Sequence, residues 1–158
     1  YYCPFAYGYT NYSRRGYAKY FLKACDVVSL NGTPLHTVLG GTGLAVSAKT
    51  KYLDEAVDFA AYAASPEIQK TLFFDNGGQP GHRAAWLDEE NNRRSMDFFK
   101  DTLYTLDHSY LRPRYSGYLD FQDNAGDFVR DYVMNGGDPK KTICKMNELY
   151  LRSKGEKH

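Results

Sequence analysis

The side chains able to do chemistry in this 158-residue chain are scattered, and their spacing limits what they can do. His36, His82, His108 and His158 share no metal-ligand spacing, and no HExxH motif is present. Cys3, Cys25 and Cys144 stand far apart with no CxxC pair, so a structural zinc site is not expected. One disulfide could form and leave one thiol over; three separate thiols are the default. Asp88-Glu89-Glu90 offers carboxylates, but glycoside hydrolysis needs two of them facing each other across a bond. Three in a row at an expected helix start serve the helix dipole instead. No nucleophile elbow, phosphate loop with Lys-Ser/Thr, or dinucleotide fingerprint occurs. The residues therefore point to binding rather than to bond-making, with no metal and no cofactor.

The candidates for binding are polar loops and tyrosines. The chain has 15 Tyr and 9 Phe against 1 Trp, and a tyrosine presents an apolar ring with a polar tip. Tyr9, Asn11 and Tyr12 lie in a polar loop and are candidates on composition and position alone. Gly40-Gly41-Thr42-Gly43 is either a turn between strands or a loop touching a ligand, with Gly41 and Thr42 as the contacts. Gln79, in Gln79-Pro80-Gly81-His82-Arg83, can donate and accept at one sugar edge, or brace its own loop through backbone groups. Arg112-Pro113-Arg114 sets two guanidinium groups about a rigid residue beside Tyr115 and Tyr118. Arg114 could clamp an anion or sugar hydroxyls, whereas Arg112 is better suited to holding the loop. Arg93-Arg94 reads as a solvated helix face. With 20 basic and 19 acidic residues the net charge is +1, which argues against a broad nucleic-acid surface.

Elements must position these groups. A short strand is expected near Tyr2–Ala6, a loop through residues 9–13, and a short helix to Leu22. Asp26–Leu30 reads as a strand ended by Asn31-Gly32, and His36–Leu39 and Leu44–Ala48 as β-prone runs. Leu53, Ala56, Val57, Ala60 and Ala64 share one helical face. Ser65-Pro66-Glu67 starts a second helix, expected to end at Asn76-Gly77-Gly78. Residues 53–64 and 66–76 are expected to pack on a strand around Leu44–Val46. Asp88 caps a short helix, and Met96, Phe99, Leu103 and Leu106 mark another. Phe121 to Val133 forms the clearest amphipathic stripe and stops at Asn135-Gly136-Gly137. Asp138-Pro139 opens a final helix. Two or three strands followed by about five helices suit an α/β protein whose main sheets are built largely by other residues.

Four pieces together carry a resemblance. They are Gly40-Gly41-Thr42-Gly43-Leu44-Ala45-Val46-Ser47-Ala48-Lys49, Glu55-Ala56-Val57-Asp58-Phe59-Ala60, Ser65-Pro66-Glu67-Ile68-Gln69 and Gly77-Gly78-Gln79-Pro80. In this order they resemble the family 1 extracellular solute-binding proteins, the receptors of ABC importers, over roughly residues 26–158. The resemblance implies the C-terminal portion of a two-lobed α/β fold of the periplasmic-binding-protein kind, with few strands and a mostly helical tail. Residues 1–39 would belong to the C-terminal lobe with a crossover, 40–85 to the N-terminal lobe, and 86–158 would return as helices to the first. The chain opens on Tyr1-Tyr2-Cys3 without a signal segment, and is expected to be a mature product or a fragment of such a receptor.

The implied function is capture of a small polar solute, a carbohydrate, between two lobes that close by hinge motion and signal a membrane permease. The implied location is the periplasm or the cell exterior, with a lipid anchor an option in the longer protein. Many members carry an aromatic residue where Thr42 stands, so a polar contact replaces a stacking one. Gln79-Pro80 matches a turn near the cleft. Tyr118 to Gln122 resembles a region from which some members contact ligand. Two alternatives remain: a fragment of a carbohydrate-active enzyme using Asp120 or Asp123 beside Arg114, and a helical protein-interaction domain that docks through its Tyr/Phe stripes.

Overall fold

The computed structural model describes residues 7–155. The expected strand near Tyr2–Ala6, Cys3 and His158 lie outside the described residues. The chain is mostly helical, with 52% of the described residues in helices that follow a small two-stranded antiparallel sheet. It divides into two compact units, the first ending at Leu111 and the second starting at Arg112. The boundaries expected after residues 39 and 85 both fall inside the first unit.

The first unit opens with a single 3-10 turn, Thr10–Ser13, rather than a helix reaching Leu22. Strand pairing is far more limited than the β-prone runs suggest. β1 is Ser29–Leu30 and β2 is Thr33–Pro34, joined through Asn31-Gly32, both with positive φ. Those are the angles a tight hairpin turn demands. Of His36–Leu39, only Val38 pairs, in one parallel bridge with Tyr110. Leu44–Ala48 forms no paired strand, and Leu44 is 63% exposed. A β-prone run becomes a strand only when a neighbour supplies the other half of the ladder, and none lies beside it among the described residues.

The helices expected from Ser65-Pro66, Asp88 and Asp138-Pro139 start where their signals place them. α1 spans Leu53–Ala64, but no residue of it is buried, so its apolar stripe has no sheet beneath it. α2 is Pro66–Lys70, with Ser65 Oγ accepting from Ile68 N. The helix expected over 66–76 breaks at Thr71 (φ −111°, ψ −92°), and Leu72–Asp75 forms a separate turn, α3. α4 is Arg83–Trp86, α5 Glu89–Arg94 and α6 Phe98–Asp107. Between α5 and α6, Met96 and Asp97 both take left-handed angles, so the helix expected from Met96 begins only at Phe98.

That reversal brings two consecutive aromatics inward. Phe98 and Phe99 join Phe74 and Trp86 in the core of the unit, with Ala24, Leu103 and Leu106 packed against it. Trp86 donates from Nε1 to Pro80 O at 2.8 Å, so its polar edge is satisfied inside. Buried Asn91, Asn92 and Ser95 tie the neighbouring turns to one another. Asn92 donates to Trp86 O and Asp88 O and accepts from Lys100 N, and Asn91 reaches Lys70 O and Ala85 O.

Asp88 caps α5 by accepting from Asn91 N at 2.9 Å. The Lys70 ammonium, 2.7 Å away, holds this carboxyl below its usual range, with the Asn91 N–H helping. A carboxylate whose folded value is lowered contributes stability that is complete above the unfolded value, about pH 4, and is lost as pH falls through the lowered one. Asp88→Ala should therefore cost about 1 kcal/mol at pH 7, the usual worth of a cap. Urea midpoints of both proteins should draw together as pH drops from 5 toward 2 (about those values). A gap that stays constant over that range would show that charge has no part in the cap.

The second unit is a helical hairpin. α7 spans Tyr118–Asn135 and ends at Gly136; α8 spans Pro139–Ser153, with Asp138 accepting from Lys140 N. Ala125 and Leu149 are its buried apolar residues, and Tyr115, Tyr118, Phe121 and Tyr150 contact one another ring to ring around its base. Tyr115 Oη and Ser153 Oγ share a hydrogen bond of 2.9 Å. No described helix is long and apolar enough to cross a membrane.

Candidate functional site

Three segments far apart in sequence meet in the first unit. The amide of Gln79 uses both its ends on the tyrosine loop: Oε1 accepts from Thr10 N at 2.9 Å and Nε2 donates to Gly8 O at 3.1 Å. The glycine loop reaches the same segment, because the Tyr7 ring lies against Gly40 so closely that a Cβ there would stand 2.6 Å from Cε1. Tyr7, Tyr9 and Tyr12 are each about half exposed, and Tyr12 meets Tyr17 edge to face at 5.2 Å.

A second glutamine fixes the turn from behind. Buried Gln69 donates to Ala63 O at 2.7 Å and accepts from Gly81 N at 2.7 Å, tying the end of α1 to the turn carrying Gln79. The paired amides hold 79–81 without placing any charge there. Sequence reasoning quoted Gln69 only as part of a motif and assigned it no task. Its position four residues after a Ser-Pro helix start offered no signal of the long-range bond.

Of the other candidates, Asn11 is half-buried, and Gly41 and Thr42 are exposed with no hydrogen bond to a described residue. Gln79 is thus the brace of the tyrosine loop. Arg114, Tyr118 and Gln122 belong to the second unit. Gln122 Oε1 accepts from Arg112 Nη1 at 3.3 Å, so Arg112 holds the loop. Tyr118 is half-buried between Tyr115 and Phe121. Arg114 is exposed, and no ion pair joins it to Asp120 or Asp123 among the described residues. Asp120 instead accepts from Asn124 within its own helix.

Arginines outside the candidate set are also engaged: Arg93 and Arg94, read as a solvated helix face, and Arg14, to which no role was assigned. Arg14 donates to Phe74 O and Gly78 O at 2.8 and 3.1 Å, with its guanidinium 3.8 Å from the centre of the Phe74 ring. Arg94 lies near the same ring, at 4.9 Å, and pairs with Asp75. Arg93 forms a two-pronged pair with Glu90. Only the Arg14-Arg15 doublet in a polar loop could have signalled this basic cluster. No group of three or more metal-ligating side chains occurs among the described residues. Cys25 and Cys144 are free, exposed thiols.

No protein-family model matches this sequence, no curated protein matches it, and no solved structure matches its fold.

Proposed function

We propose that the chain is the C-terminal portion of an extracytoplasmic solute receptor of an ABC importer, with a small carbohydrate as its solute. The observation that carries this reading is the meeting of the glycine loop, the tyrosine loop and Gln79. Tyrosine rings that are half exposed on a braced loop offer apolar faces to a sugar ring, and their hydroxyls offer partners at its edge. The reading includes a two-lobed fold of the periplasmic-binding-protein kind. The unpaired run Leu44–Ala48 and the uncovered stripe of α1 support it, since a strand and helix of a larger sheet would look this way when read alone. Hinge closure over the solute and contact with a permease complete the proposal.

Calorimetric titration of the chain with neutral mono- and disaccharides tests it. Binding is expected for at least one of them, and Tyr9→Ala should weaken it about tenfold, as losing one ring face of about 1.4 kcal/mol would. Gln79→Ala should weaken it as well, by loosening the loop, with faster hydrogen exchange at Thr10. A panel without binding, or full affinity in Tyr9→Ala, would overturn the reading.

A further inference from the structure

A cleft of about 780 Å³ in the first unit is lined by four arginines, Arg14, Arg15, Arg93 and Arg94, with Asp75 as its one lining carboxylate. Phe74 is also among its lining residues. Counting partners shows where charge is left over. Arg94 is matched by Asp75 and Arg93 by Glu90. Arg14 is held by two backbone carbonyls and a ring face, none of which carries a full negative charge, and its buried Nε has no acceptor. Arg15 is exposed and has neither an ion pair nor a hydrogen bond among the described residues. Among the described residues, neither of these two adjacent guanidinium groups has an ion pair of its own: Asp75 acts on Arg14 at a distance but is paired with Arg94.

Burial and the neighbouring Arg94 charge both work against the Arg14 cation, while Asp75 favours it. The chain keeps that cation in place, anchored through both Nη atoms, instead of using a neutral residue. An anchored cation beside an exposed, unengaged one suits a ligand that brings two negative charges and several acceptor oxygens. A carboxylate supplies one charge; a phosphate group near neutral pH supplies close to two.

We propose that this cleft is a binding site for a dianionic phosphate group, free or as a phosphate monoester, with Arg15 closing on it over the charge of Arg14. The site does not involve the tyrosine faces, so it stands or falls apart from the saccharide reading.

The test is calorimetric titration of the chain with inorganic phosphate and with glucose 6-phosphate at low ionic strength, with uncharged glucose alongside. Both phosphates should bind, and Arg15→Gln should weaken both about tenfold or more, as losing a hydrogen-bonded charge does. Its thermal midpoint should stay that of the parent, because Arg15 holds nothing else. Arg130→Gln, an exposed change on α7, should leave phosphate affinity unchanged. Tighter binding of the ester than of inorganic phosphate would assign the site to a phosphorylated metabolite, and equal binding to the free anion. Absence of phosphate binding, unchanged affinity in Arg15→Gln, or an equal loss in Arg130→Gln would each overturn the proposal. Glucose binding reports only on the saccharide reading.

Discussion

Phe99→Ala should cost the first unit about 3–5 kcal/mol, the range for deleting a buried aromatic ring. Phe99 is 0% exposed and makes edge contacts with all three other rings of its core: Trp86 at 5.0 Å, Phe98 at 5.5 Å and Phe74 at 5.8 Å. Four rings hold this core, and small domains have only about 5–15 kcal/mol in hand. The loss should therefore remove a large share of the stability of the unit. The chain has 1 Trp, and Trp86 lies in this cluster, so its fluorescence during urea titration reads the transition directly. Phe59→Ala is the comparison: Phe59 is 66% exposed, and its loss should stay within about 0.5 kcal/mol. Equal midpoint shifts for the two variants would contradict the core assignment.

In the second unit one substitution should act with opposite signs at two places near the same helix. Gly117 precedes α7 with φ +100°, and a Cβ added there would run into the carbonyl of Ser153. Left-handed strain of about 1–3 kcal/mol would add to an overpacking cost of about the same size. The obstacle is backbone at the end of α8, which cannot swing aside as a side chain would. Gly126 sits inside α7 with open space around its Cα, so Gly126→Ala should stabilise by roughly 0.5–1 kcal/mol. Hydrogen exchange of amides in α7 and α8 reads both effects. Gly117→Ala should lose protection across both helices and Gly126→Ala should gain it. Retained protection in Gly117→Ala would mean that the approach of Ser153 is not needed for the hairpin.

Helix starts were legible in the sequence because their signals are local. Ser65-Pro66, Asp88 and Asp138-Pro139 each lie within four residues of the amide they cap or the turn they begin, and each starts a helix where expected. Strands were not legible from the same kind of reading. Leu44–Ala48 has the composition of a strand, but its state depends on a neighbour that composition does not reveal. The break at Thr71 and the left-handed pair at Met96 and Asp97 carry no glycine or proline to announce them. The site was legible as residue types and not as an arrangement. Gln79 bonds to residues 69 and 71 positions away, and Arg14 reaches Phe74 across 60. Such contacts follow from packing of the whole unit, so the sequence offers them only as alternatives, here a ligand contact or a loop brace.

The Asn-Gly steps that end elements of this fold also set a chemical clock. The hairpin turns at Asn31-Gly32, α3 runs out at Asn76-Gly77, and α7 ends at Asn135-Gly136. A glycine leaves the next backbone nitrogen uncrowded, so the asparagine side chain can cyclise onto it, release ammonia and reopen as aspartate or isoaspartate. Two of the three side chains are tethered, Asn76 to Leu72 O and Asn135 to the Asp131 carboxylate, whereas Asn31 has no side-chain hydrogen bond among the described residues. Ageing should begin at the hairpin. Each event adds one negative charge, and starting from +1, three of them would carry the chain to −2. Stored protein would therefore drift toward the acid side on a focusing gel, with the earliest new band coming from the turn between β1 and β2.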